Sequence, residues 1–169
     1  MIQKKIVMVG AVSVGKTSLV ARYVHSIFSE KYLSTVGVKI DKKTITVDGI
    51  ETMLMLWDVA GDDDFQPIQT SYLRGAAGYL LVADGSRRST LTQAVEIQRR
   101  VVDAIGSVPF LLLLNKADLA DQWQVEAPQI RDLAAQGWLV HRTSAKTGSG
   151  VEEVFRELAR KVLVPGPGA

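Results

Sequence analysis

The sequence predicts an α/β fold: a six-stranded, mostly parallel sheet with one antiparallel edge strand and helices on both faces. Three observations carry this reading. Apolar runs alternate with segments of helical spacing, the pattern of successive βαβ units. The runs at 6–9, 79–82 and 110–114 are continuously apolar rather than alternating, so both faces of those strands are covered. Asp48-Gly49 separates two strand-like runs as a hairpin turn, which adds the antiparallel strand.

The elements follow in order. Residues 6–9 predict the first buried strand. Leu19, Val20 and Tyr23 fall on one side of a helix over 16–25. Val38-Lys39-Ile40 and Ile45-Thr46-Val47 predict the second strand, and residues 50–58 return from the hairpin. Met53, Met55 and Trp57 alternate there with Leu54 and Leu56, so sheet packing is the simpler role for this stripe. Helices are expected at 65–74, 89–105, 126–136 and 150–163. Ser89 or Thr90 is a candidate cap for the second of these, which Gly106 and Pro109 end. The last strand is expected at 138–141. In such a sheet ligands bind at the carboxyl ends of the strands, so chemistry is expected after residues 9, 58, 84, 114 and 143.

Composition narrows the function classes. The 169 residues are 47% hydrophobic and 22% charged, ordinary values for one globular domain, expected over 1–163. Residues 164–169 read as a flexible tail or linker stub. Lys+Arg is 20 and Asp+Glu is 18, so the net charge of +2 argues against a dedicated nucleic-acid binder. There is no cysteine, which removes disulfides, zinc-cysteine sites, thiol catalysis and thiol-linked lipids. Ile2 in place of Gly excludes N-myristoylation. No run reaches the roughly 18 apolar residues of a membrane span. A cytoplasmic monomer without an intrinsic membrane anchor is expected.

The strongest motif is Gly10-Ala11-Val12-Ser13-Val14-Gly15-Lys16-Thr17, directly after a buried strand and opening a helix. Such a loop turns successive backbone N–H groups inward around phosphate oxygens, and the helix start adds its positive dipole end. Ser13, Val14, Gly15 and Ser18 are placed to hold phosphates. Lys16 reaches the β- and γ-phosphates, and the Thr17 hydroxyl suits Mg²⁺. The strand, loop and helix are those of a P-loop NTPase. Asp58-Val59-Ala60-Gly61 ends the next buried strand. Its carboxylate can hold the Mg²⁺ shell, and Gly61 lets a backbone N–H approach the γ-phosphate. Asn115-Lys116-Ala117-Asp118 follows the 110–114 strand. A carboxylate here accepts from guanine N1–H and N2–H₂, a donor pair that adenine lacks. Asn115 can serve N7 and tie loops together, and the stem of Lys116 can cover the base. In Ser144-Ala145-Lys146, the Ala145 N–H can reach guanine O6. His25 and His141, the two histidines, lie in no metal-ligand spacing. Arg87-Arg88 reads as a solvated pair.

With these four motifs in this order, the sequence resembles the Ras superfamily of small GTPases to about residue 163. Trp57 before Asp58, the stretch 71–78 and the stretch 32–38 look most like the Rab branch, including a prokaryotic Rab-like member. The resemblance implies GTP/GDP and Mg²⁺ as ligands. It implies that Thr35 ligates Mg²⁺, that Phe28 packs against guanine, and that Tyr32 closes over the γ-phosphate. It also implies an effector protein, an exchange factor and a GTPase-activating protein as partners, with Trp57 on a surface that relatives use for effectors.

Two positions depart from that pattern. Asp62 stands where the family places a water-orienting glutamine, and Asp63 and Asp64 follow it. Aspartate is shorter, is repelled by the triphosphate, and is a poor base at its ordinary pKa. Val12 carries a branched side chain where many signalling members have glycine. Slow intrinsic hydrolysis is therefore expected. The alternative is a GTP/GDP-binding module of the same fold that does not hydrolyse. An ATP-dependent kinase on the same loop is a third class, opposed by residues 115–118.

Overall fold

The computed structural model describes residues 1–29, 37–61 and 68–164. One six-stranded sheet runs in the order β2-β3-β1-β4-β5-β6. Its strands are β1 (Ile2–Gly10), β2 (Val38–Val47), β3 (Ile50–Val59), β4 (Gly78–Asp84), β5 (Phe110–Asn115) and β6 (Val140–Arg142). β2 pairs antiparallel with β3 and all other pairings are parallel. The antiparallel pair is joined by the expected hairpin, with Asp48 at φ 50 and Gly49 at φ 82, both in the left-handed region that such a turn demands.

Period-two alternation sends each strand's side chains into two cores. Ile6, Met8, Leu80, Val82, Leu111 and Leu113 face one of them, with Leu19 and Tyr23 of α1 (Lys16–His25) and Phe155 of α4 (Val151–Leu163). Tyr23 and Phe155 stack at 4.0 Å between ring centroids. Val7, Val9, Tyr79, Leu81, Leu112 and Leu114 face the other, with Leu91, Ala94, Ile97 and Val101 of α2 (Arg88–Ile105) and Leu133 of α3 (Ala127–Ala135). Helices on both faces explain why these strands are apolar at every position.

Four expectations are corrected. β1 begins at Ile2, because pairing with Thr52–Met55 carries the ladder through Lys4 and Lys5. Of the helix expected at 65–74, the described residues form a single 3₁₀ turn, Thr70–Leu73. α2 has neither Ser89 nor Thr90 as its cap. The Thr90 hydroxyl accepts from the Asp84 N–H at 2.8 Å and donates to the Arg87 carbonyl at 2.7 Å, so it fastens α2 to β4. The last strand starts at Val140, since the Trp138 N–H is taken by the Leu133 carbonyl in the turn that ends α3. Among the described residues no helix is long and apolar enough to cross a membrane.

Candidate functional site

Strand order brings the motif loops together. β1, β3, β4, β5 and β6 run parallel, so their carboxyl ends lie at one edge of the sheet. Asp58 sits in register with Met8, Val82 with Gly10, and Asp84 with Asn115. The loop after β1 thus lies between those after β3 and β4, with those after β5 and β6 beyond. A cavity of about 360 Å³ opens there, within the usual size of a small-ligand site. Ser13, Gly15 and Ser18 of the phosphate loop and α1, Phe28, and Asn115, Lys116, Asp118, Ala145 and Lys146 of the loops after β5 and β6 line it.

The phosphate-loop side is built from backbone. Lys16 is 6% exposed, and its ammonium donates to the Gly10 carbonyl at 3.1 Å and the Ala11 carbonyl at 2.8 Å, held across the loop. Gly15 is required twice. Its φ of 105° lies outside the range of ordinary side chains, and a Cβ there would stand 2.2 Å from Asn115 Nδ2. Gly61 is required by closeness alone, since a Cβ would stand 2.6 Å from Val12 Cα and 2.7 Å from Val12 N. The Asp-x-x-Gly segment therefore packs directly on the phosphate loop.

The base side is a hydrogen-bonded scaffold. Asn115 Nδ2 donates to the Val14 carbonyl at 3.0 Å, while its Oδ1 accepts from Thr143 Oγ1 at 3.1 Å. Asn115 thus makes the tie between loops read from the sequence. Asp118 Oδ1 accepts from Ser144 Oγ at 2.7 Å, which fixes the carboxylate against the loop after β6. Ser144 Oγ in turn accepts from the Thr147 N–H at 3.1 Å. Lys116 Nζ donates to the Ser13 carbonyl and to Asp84 Oδ2, each at 3.0 Å. Phe28, 36% exposed, also lines the cavity.

The family model described as the Ras family matches residues 5–164. The chain belongs to the Ras family. It is 34% identical over 166 residues to Ras-related protein Rab-13 of Canis lupus familiaris, covering 97% of this chain and 82% of that one. It is 35% identical over 159 residues to Ras-related protein Rab-1 of Theileria parva, covering 92% and 72%. Ras-related protein Rab-8B of Pongo abelii is 35% identical over 161 residues, covering 94% and 78%. The chain is thus a Rab-like member of the Ras superfamily with that family's P-loop NTPase fold, and the family's function class is the small GTPase switch.

This Ras-family site fits Mg²⁺ on the chemistry of its donors. Thr17 Oγ1 donates to Asp58 Oδ2 at 2.6 Å, so two hard oxygens from α1 and β3 meet beside the phosphate loop. Mg²⁺ is typically held by one or two carboxylates together with substrate phosphates, and the chemistry of this pair fits that pattern. Thr35, Tyr32 and Asp62 lie outside the described residues.

Three residues make contacts at the site that the sequence does not announce. Arg22 of α1 donates from Nε to the Ala145 carbonyl at 2.7 Å and from Nη2 to the Lys146 carbonyl, bracing the loop after β6. Asp84, 1% exposed at the end of β4, accepts from the Ser86 N–H, the Ser86 hydroxyl, Arg87 and Lys116. Burial pushes its carboxyl up, yet the hydrogen bonds from Ser86, Arg87 and Lys116 outweigh that and hold it below the usual carboxylate range. Arg87 is exposed, as expected, but it is not free of partners. Its guanidinium bonds Asp84 and reaches the carbonyls of Val12 and Ser13. An acidic residue closing an apolar strand is a readable signal for Asp84. No local pattern marks the two arginines, whose partners are set by strand order.

Proposed function

We propose that this chain is a switch that binds Mg²⁺·GTP and GDP, hydrolyses GTP slowly, and presents its nucleotide-dependent loops to an effector. The observation that carries the reading is the bond from Asn115 to Val14. It joins a guanine-type loop to a phosphate loop across one cavity, so base and phosphates are read by a single scaffold. Ser13, Val14, Gly15, Lys16, Thr17 and Ser18 hold the phosphates. Asp118 accepts from the guanine edge, held by Ser144. Ala145 and Lys146 close the base side, and Phe28 packs against the base. Thr17, Asp58 and Thr35 would hold Mg²⁺, which neutralises charge on the phosphate oxygens when bound.

Regulation follows from what contacts the γ-phosphate. Gly61, pressed on Val12, and Thr35 respond to its presence and release on hydrolysis. A docking face for an effector lies on β2 and β3, beside the Gly61 segment. Ile40 is 43% exposed and pairs in register with Trp57, which is half-buried. Lys5 Nζ sits 3.5 Å from the centroid of the Trp57 ring and donates to the Arg74 carbonyl, fixing that ring's orientation. An exchange factor and an activating protein are the other expected partners. An arginine from the latter would supply on the order of 10³–10⁵ in rate.

Asp62 and Val12 favour the slow rate and motivate the second reading, a module that binds GTP without turning it over. Asp62→Gln is expected to raise single-turnover GTP hydrolysis about tenfold, below the 10²–10⁴ that a fully positioned proton-transfer group contributes. An unchanged rate would show that Asp62 is not the limiting departure. Phosphate release that stays at the uncatalysed rate over hours, with and without candidate activators, would leave only the binding module.

A further inference from the structure

Arg87 stands on the loop after β4, yet its side chain serves the loop after β1. Nε donates to Asp84 Oδ2 at 3.0 Å, and Nη2 donates to the Val12 carbonyl at 3.1 Å and the Ser13 carbonyl at 2.9 Å. Lys116 makes a parallel link, from the same Asp84 oxygen to the same Ser13 carbonyl. A buried carboxylate thus anchors two cations that grip two successive peptide units of the phosphate loop. The peptide unit is planar, so fixing a carbonyl fixes the N–H that points the opposite way. The Val12 carbonyl shares its plane with the Ser13 N–H, and the Ser13 carbonyl with the Val14 N–H. Ser13 needs such support, because at φ 62° it occupies the left-handed region without being glycine.

We propose that Arg87 is a positioning residue of the nucleotide site. It pre-sets the Ser13 and Val14 N–H groups toward the phosphates and thereby slows release of the diphosphate. The proposal rests on the GTP/GDP reading above for its ligand. The Asp84–Arg87 pair alone would contribute little, since the arginine side chain is 43% exposed and solvent screens it. What matters is reach. A planar fork bonds a carboxylate through one nitrogen and two carbonyls through another, whereas a lysine presents a single point of charge.

The test uses the full chain with GDP and its inosine analogue IDP, which lacks the N2 amino group. In Arg87→Ala, GDP release is expected to accelerate about tenfold. IDP release is expected to accelerate by the same factor, because Asp118 and its reading of the base are untouched. Arg87→Lys is expected to release GDP nearly as fast as Arg87→Ala. In nucleotide-free protein, amide exchange at Ser13 and Val14 is expected to quicken several-fold in both variants. Unchanged release would overturn the proposal, and so would a collapse of the GDP-to-IDP ratio, which would place the effect on the base loop. Wild-type behaviour in Arg87→Lys would also overturn it, leaving charge without the fork. Should Arg87→Ala fail to fold by its melting curve, Arg87→Lys decides on the same readouts. If the wild-type protein binds no GDP, the nucleotide reading has failed, while exchange at Ser13 and Val14 still reports the grip.

Discussion

Asp118→Asn is expected to lower GDP affinity by roughly 10³–10⁴, a little under the discrimination seen when a site built to hydrogen-bond a substrate group loses its partner. The carboxylate is an acceptor only, and the guanine edge offers two donors, N1–H and N2–H₂. An asparagine amide turns one acceptor into a donor facing a donor. The side chain cannot escape by rotating freely, because Ser144 Oγ donates to Asp118 Oδ1 at 2.7 Å and fixes its orientation. The same change should favour xanthosine diphosphate over GDP, since xanthine presents an oxygen where guanine has N2. Isothermal titration with both diphosphates reads the two effects together. Unchanged GDP affinity would remove Asp118 from the base site.

Gly15→Ala is expected to weaken GDP binding about 10²-fold and to cost about 2–4 kcal/mol of folding stability, the sum of a strained backbone and a lost buried hydrogen bond. The backbone at φ 105° resists any side chain, and the new methyl would stand 2.2 Å from Asn115 Nδ2. Asn115 must then leave Val14, and that bond joins the two halves of the site. Denaturant unfolding of nucleotide-free protein separates the stability loss from the binding loss. A variant with wild-type stability and GDP affinity would show that the Asn115 bridge is not needed.

The parts of this molecule that the sequence made legible are those written in short range. Strands at 6–9, 79–82 and 110–114 show as apolar runs because both their faces meet helices. The phosphate loop shows because its glycines answer local backbone demands. What stayed hidden is long-range. Arg22 meets Ala145 123 residues away, and Arg87 meets Ser13 74 residues away. Neither pairing has a spacing to read, since each follows from which strands are neighbours. Thr90 misled for a similar reason, because a hydroxyl at a helix start serves either the helix or the strand beside it. Trp138 looked like strand until the turn that ends α3 claimed its N–H. Thr35 and Phe28 were reached only through family resemblance, since a lone threonine or aromatic carries no signal by itself.

In the proposed function one scaffold reads guanine and phosphates together. Denaturing the purified full chain and identifying the nucleotide it releases, then titrating the emptied protein with GTP and ATP, tests that most directly. GDP or GTP should be released, and GTP should bind at least about 10³-fold more tightly than ATP, the scale set by leaving Asp118 without its donors. ATP binding as tight as GTP would contradict guanine recognition by this site.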